Sequence, residues 1–205
     1  LALKGNVAAG REALLISLMK SLLPVALANL SHGSSGAVFD SRRRYRYLLW
    51  RNWDESLPAA SFVMLNPSAA DEHTNDPTIA RSVALASSQG FGRIFVVNLF
   101  AYMTKSPVLL KKARYPITCR TDARDGGHND DYIKWALVNS GHIVLAWGNH
   151  GAYLNRHLEV LKLVQSLEVE DKCLMFSLTK QGQPRHPLYT PNCIKLQRLP
   201  EIFWN

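Results

Sequence analysis

Four apolar runs, each ending in a turn former, set out the plan of the chain. Phe62-Val63-Met64-Leu65 runs into Asn66-Pro67-Ser68, Ile94-Phe95-Val96-Val97 into Asn98-Leu99-Phe100, and Ile143-Val144-Leu145-Ala146 into Trp147-Gly148. The fourth, Leu174-Met175-Phe176-Ser177-Leu178, leads through a short polar loop to His186-Pro187-Leu188-Tyr189. Such runs predict strands buried on both faces, as in a parallel sheet. Helical patterns lie between them. One covers 78–89, with Asp76 as N-cap, Pro77 as first residue and Gly90 as terminator. A second covers 132–139, capped by Asn129 or Asp130 and ended by Gly141. A third covers 149–167, with apolar spacing at Leu154, Leu158, Leu161 and Val164 or Gln165. This alternation predicts an α/β fold: a three-layer α/β/α sandwich around a central, mainly parallel, four-stranded sheet. In such sheets a ligand sits beyond the carboxyl ends of the strands, which directs Asn66, Asn98 and His186 to one crevice.

The amino-terminal part reads differently. Residues 1–36 read as a helical segment and a Ser/Gly-rich link, and 37–205 as a single domain. The apolar stretch 12–30 is interrupted by Lys20 and Pro24 and opens on Glu12, so an amphipathic helix packed on the domain is expected rather than a signal peptide or a span. Residues 37–53 read as one strand in which Arg42, Arg43, Arg44 and Arg46 interleave with Tyr45 and Tyr47. Such a strand is either a charge-guarded edge or a phosphate-contacting ribbon. A second basic stretch follows Asn98, with Lys105, Lys111, Lys112 and Arg114.

Charge sharpens the choice of partner. The 205 residues carry a net charge of +8, which favours an anionic partner, nucleic acid being the commonest. The three cysteines are far apart and make no zinc spacing, so reduced thiols and a cytoplasmic setting are expected. His142, His150 and His157 lack the spacing of a metal helix pair. No metal, no cofactor, no membrane association and no obligate protein partner are expected. A serine hydrolase is disfavoured because no G-x-S-x-G elbow occurs.

Two resemblances follow from these motifs. Leu65-Asn66-Pro67-Ser68, Val97-Asn98, Ala146-Trp147-Gly148 and His186-Pro187, in that order, resemble the four motifs of the uracil-DNA glycosylase superfamily. The span from Tyr45 to Trp204 also resembles the bacterial and phage family called domain of unknown function 1643. That match rests on 64–71, Asp76-Pro77-Thr78, Gly90-Phe91-Gly92, 98–101, Asn129-Asp130 and 185–189. Two departures stand out: Met64 where the superfamily has a nearby glycine, and His-Pro-Leu-Tyr in place of His-Pro-Ser-Pro.

The first resemblance implies a DNA glycosylase that flips out a base, hydrolyses its N-glycosidic bond and leaves an abasic site. In that reading His186 donates a hydrogen bond to the departing base, Asn66 holds the attacking water, and Asp71 supplies a carboxylate; Asp76 is the alternative, with its helix cap as the plainer role. Asn98, Ser68, Phe91 and Phe100 line the base pocket. Arg42, Arg43, Arg44, Arg46, Lys111, Lys112 and Arg185 contact DNA, with Leu188 and Tyr189 filling the gap left by the base. In the uracil-specific branch a tyrosine walls off the pyrimidine C5 position. Here Ser68, Ala69 and Ala70 are small, which implies room for a bulky C5 substituent, DNA with modified bases as partner, and a role in defence against phages. The competing expectations are a module of the same fold that binds a modified base without cutting, and an enzyme of free nucleotides.

Overall fold

The computed structural model describes residues 35–119 and 129–204. The helix expected within 1–36 lies almost wholly outside them. Among the described residues seven strands form one sheet: β1 (Ser35–Phe39), β2 (Arg46–Asn52), β3 (Ala59–Met64), β4 (Arg93–Asn98), β5 (His142–Leu145), β6 (Cys173–Met175) and β7 (Gln197–Arg198). Their order in space is β1-β2-β4-β3-β5-β6-β7. The four motif-bearing runs are its parallel centre, β4-β3-β5-β6. β1 and β2 on one side and β7 on the other pair antiparallel, so the sheet has seven strands rather than four.

The centre is parallel because its strands are apolar on both faces. Alternation then sends each side chain to one of two cores. Phe62, Met64, Ile94, Val96 and Val144 face one core, closed by Ile79, Leu85 and Ala86 of helix α1 (Pro77–Ser88). Val63, Phe95, Val97, Ile143 and Leu145 face the other. After the short helix α2 (Pro107–Lys112), that second core is closed by α3 (Asn129–Val138) and α4 (Arg156–Ser166). The three layers are therefore as expected. Each fully buried Leu, Ile or Phe contributes about 1.5–3 kcal/mol, so these two cores dominate the stability.

Three local expectations are corrected. The segment 37–53 is a hairpin rather than one strand, and Ser35 and Gly36 belong to it rather than to a link. Asp40 makes the turn: its Oδ1 accepts from the amides of Arg44 and Tyr45 at 2.6 and 2.7 Å. The segment 149–167 is two pieces. A 3-10 stretch, Asn149–Asn155, ends in left-handed Leu154 and Asn155, and only then does α4 begin. Leu154 and Leu158 are consequently exposed, while Val160, Leu161 and Val164 face the core. The fourth strand is Cys173–Met175, and 176–178 leave the ladder.

The topology also fixes where a crevice must open. From β3 the chain crosses through α1 to β4 on one side; from β5 it crosses through α4 to β6 on the other. The loops leaving β3 and β5 therefore diverge, and the gap between them lies beyond the carboxyl ends of these two strands. Among the described residues no helix is long and apolar enough to cross a membrane.

Candidate functional site

A crevice of about 940 Å³ opens at that switch point. One wall comes from the loop after β3 (Leu65, Asn66, Ser68, Ala69) and the first turn of α1 (Asp76, Pro77, Thr78). The opposite wall comes from Trp147 to His150 after β5 and from the segments carrying Lys180, Arg185 and His186. Thr104, Lys105 and Pro107 close one end.

Asn66 is held by its own amide. Its Nδ2 donates to the carbonyls of Pro67 and Thr104 at 2.9 and 2.7 Å. Thr104 N–H in turn donates to the Pro67 carbonyl, tying the two loops together. With both amide protons engaged, Asn66 presents Oδ1 as a fixed acceptor. Asp76 secures the rest of this wall. Its Oδ1 accepts from Ile79 N–H at 2.9 Å as the helix cap, and its Oδ2 accepts from Ala69 and Ala70 N–H at 3.2 and 3.3 Å. The capping role is thus real, and the same carboxylate orders the small-residue loop.

His186 faces this wall from the other side. Its Nδ1 accepts from Leu188 N–H at 3.3 Å, so in the neutral ring Nε2 carries the proton. Burial holds the imidazole pKa down, to about 4, although nearby Asp76 favours the charged form. The ring is therefore a neutral hydrogen-bond donor at physiological pH. Gly148 lies against it with φ of +69°, and a Cβ there would sit 3.5 Å from His186 Cβ. Only glycine takes that backbone conformation without strain. Gly148 N–H donates to Pro184 O at 2.8 Å and Trp147 Nε1 to Gln183 Oε1 at 2.8 Å, which fixes the His-Pro segment against β5.

Of the other expected site residues, Ser68, Arg185, Leu188 and Tyr189 line the crevice. Arg185 spends its guanidinium on Ser177 Oγ at 2.9 Å and Leu178 O. Leu188 and Tyr189 are 44% and 72% exposed, so they project from the rim instead of packing under the sheet. Asp71 does not join the lining. Its carboxylate closes a turn with His73 and Thr74 N–H, which lowers its pKa. Asn98 stands at the end of β4 but is fully buried, with Nδ2 unpartnered inside the fold. Phe100 packs on Tyr153 in the core. Phe91 precedes β4 and so lies at the amino ends of the strands, packed on His142, away from the crevice.

The arginine cluster divides. Arg42, Arg43 and Arg44 form the exposed turn between β1 and β2. Arg43 makes a two-pronged bond to Glu72 at 2.7 Å and stacks 3.8 Å over Phe39. Arg46 is buried, donates to Ala70 O at 2.8 Å, and has its pKa pulled down to about 10 by desolvation. It supports the Ser68–Ala70 loop from beneath and cannot reach a phosphate. Lys111 lies 5.7 Å over the Tyr153 ring, and Lys112 is exposed beside it. Lys105 and Lys180 also line the crevice, exposed and without an ion-pair partner among the described residues. Lys105 was visible only as part of a basic stretch, and nothing in the sequence marked Lys180. Among the described residues no group of His, Cys, Asp or Glu has the arrangement of a metal site.

The family model described as protein of unknown function (DUF1643) matches residues 46–188, from the first residue of β2 to the rim of the crevice. No curated protein and no solved structure matches the chain.

Proposed function

The chain belongs to the DUF1643 family, and we propose that in it the crevice is the base pocket of a DNA glycosylase of the uracil-DNA glycosylase kind. The observation that carries this reading is the pairing of a fixed neutral acceptor, Asn66 Oδ1, with a neutral imidazole donor, His186, across one crevice at the strand ends.

Breaking an N-glycosidic bond leaves positive charge on the sugar and negative charge on the base oxygen. The Nε2–H of His186 donates to that oxygen as charge develops. A preorganised donor of this kind is worth roughly 3–4 kcal/mol, or two to three decades in rate. Asn66 Oδ1 accepts from the attacking water and aims it at the sugar carbon. A neutral amide orients water without deprotonating it, so the base must leave well as an anion, and the proton released as water adds to the sugar carbon passes to that anion or to solvent. The nucleotide reaches the pocket by leaving the stack, with exposed Leu188 and Tyr189 at the rim to replace it. Lys105 and Lys180, on different walls, suit the phosphates flanking the flipped nucleotide.

The volume of about 940 Å³ and the small Ser68 and Ala69 favour a pyrimidine with a bulky C5 substituent, and with it a role against phages that modify their DNA. The test is to incubate the protein with duplexes carrying uracil or bulky C5-modified cytosines, to score abasic sites, and to identify the released base by mass spectrometry. Abasic sites on the modified duplex support the reading. Tight binding to modified DNA with no abasic sites would instead establish a binding module. One observation favours that second reading: among the described residues no free carboxylate stands beside Asn66, since Asp71 is turned away and Asp76 serves three backbone amides.

A further inference from the structure

Helix α1 grips the carboxyl-terminal segment at two points. Near its middle, the Arg81 guanidinium donates to the carbonyl of Thr190 and to Asn192 Oδ1. At its end, Gln89 donates to Ile194 O at 3.1 Å and accepts from Leu196 N–H at 3.1 Å. The first grip bears on His186. Thr190 Oγ1 donates to the His186 carbonyl at 3.1 Å, and Thr190 N–H donates to Pro187 O at 3.0 Å. Tyr189 N–H also donates to the His186 carbonyl. The turn that seats the imidazole is therefore closed by Thr190, and Thr190 is anchored by Arg81. The same helix, through its cap Asp76, holds the loop of Ser68 to Ala70 on the facing wall.

We propose that Arg81 is a positioning residue for His186: by bridging Thr190 and Asn192 it fixes the His-Pro turn to α1 and so sets the imidazole opposite Asn66. This rests on the glycosylase reading only where base release is measured. Arginine suits the task because its planar fork meets two acceptors at once, whereas lysine offers a point charge that cannot reproduce that geometry.

The test uses the full chain with labelled histidine nitrogens, so that the His186 ring is followed by NMR through a pH titration. Asp76 and Tyr189 lie near that ring, and Lys105, His150, Lys180 and Arg185 line the same crevice; all are left in place. The signal is identified by its loss in His186→Gln. In the parent the ring stays neutral, with the proton on Nε2, well below pH 6. Arg81→Gln should let the turn open, raising the His186 pKa by about one unit or more toward the ordinary value and mixing its tautomers. Arg81→Lys should recover this only in part. Gln89→Ala, which loosens the same segment farther along, should leave the His186 titration as in the parent. On a duplex that the parent cleaves, Arg81→Gln should lower kcat roughly ten- to a hundredfold with little change in KM.

Thermal melting accompanies each variant, so that loss of fold is separated from loss of position. A folded Arg81→Gln whose His186 titrates as in the parent overturns the proposal. So does Gln89→Ala shifting the ring as far as Arg81→Gln, because docking of the whole segment would then be the cause. If the parent releases no base, the glycosylase reading fails while the titration still decides the role of Arg81.

Discussion

Acidification should cost this protein stability, and the share carried by His186 falls in a defined window of pH. Burial holds the His186 pKa near 4 in the folded chain, against an ordinary 6.5. Above pH 6.5 the ring is neutral whether the chain is folded or not, and it contributes no pH dependence. Between 6.5 and 4 the unfolded chain binds a proton that the folded chain refuses, so stability falls as pH falls. Below 4 both states are protonated and the loss stops. A difference of this size corresponds to about 3 kcal/mol. The assay is urea unfolding of the parent and of His186→Gln at several pH values between about 7.5 and about 4. The parent should lose about 3 kcal/mol more than the variant over this range. Asp54, Asp71 and Glu72 also have lowered pKa values, from their hydroxyl, amide and guanidinium partners, and burial lowers that of His157. Their acid losses are shared by both chains and cancel in the comparison. Parallel curves for parent and variant would refute the argument, because the imidazole would then be no less protonatable in the fold than in the open chain.

Four further outcomes are expected. Asn66→Ala should fold but release base at a rate lower by roughly two decades, as measured by abasic-site formation. Exchanging Lys105 and Lys180 together for Ala should flatten the dependence of log affinity on log salt for duplex DNA by about 0.9 per lost phosphate contact, whereas Arg46→Met should leave that slope unchanged. Arg46→Ala should lower unfolding free energy by about 2–4 kcal/mol in denaturant melts, because it removes a large buried side chain and leaves the Ala70 carbonyl without its donor. Ser68→Tyr should block a bulky C5-modified cytosine while sparing a small base, and equal loss on both duplexes would count against the open wall.

What could be read in the chain beforehand depended on how local the physics was. The parallel centre was legible because strands buried on both faces leave unbroken apolar runs such as Phe62 to Leu65. The cap at Asp76 was legible because a cap is made within four residues. The hairpin at Asp40 was hidden, since a carboxylate folding back on the amides of Arg44 and Tyr45 makes the turn without glycine or proline. The break before α4 was hidden likewise, because Leu154 and Asn155 take left-handed backbone within a helical apolar pattern. Within the site, Asn66 lines the crevice just past the end of β3 as expected, and His186 joins it from the loop that follows β6 rather than from the strand end itself. Asn98 also sits at a strand end, yet its side chain is enclosed in the fold, and position along a strand says nothing of that enclosure. Phe91 belongs to the start of a strand rather than its finish, so its motif pointed to the wrong end of the sheet. Lys180 reaches the crevice only because the loop after β6 folds back toward β5, a tertiary fact with no local trace.

The grip of α1 on residues 190–196 also has a temporal consequence. Asn66 and its loop can be set once β3, β4 and the loop between β4 and α2 exist, early in synthesis. His186 cannot be seated until the chain has emerged past Asn192, and β7 then closes over β6. The last part of the crevice to form thus depends on contacts more than a hundred residues apart in the chain, the slowest kind to establish. A nascent or truncated copy would carry the acceptor side without a seated donor. On the proposed reading, a protein that cuts bases from DNA is thereby kept inert until residues 190–196 have emerged and docked on α1.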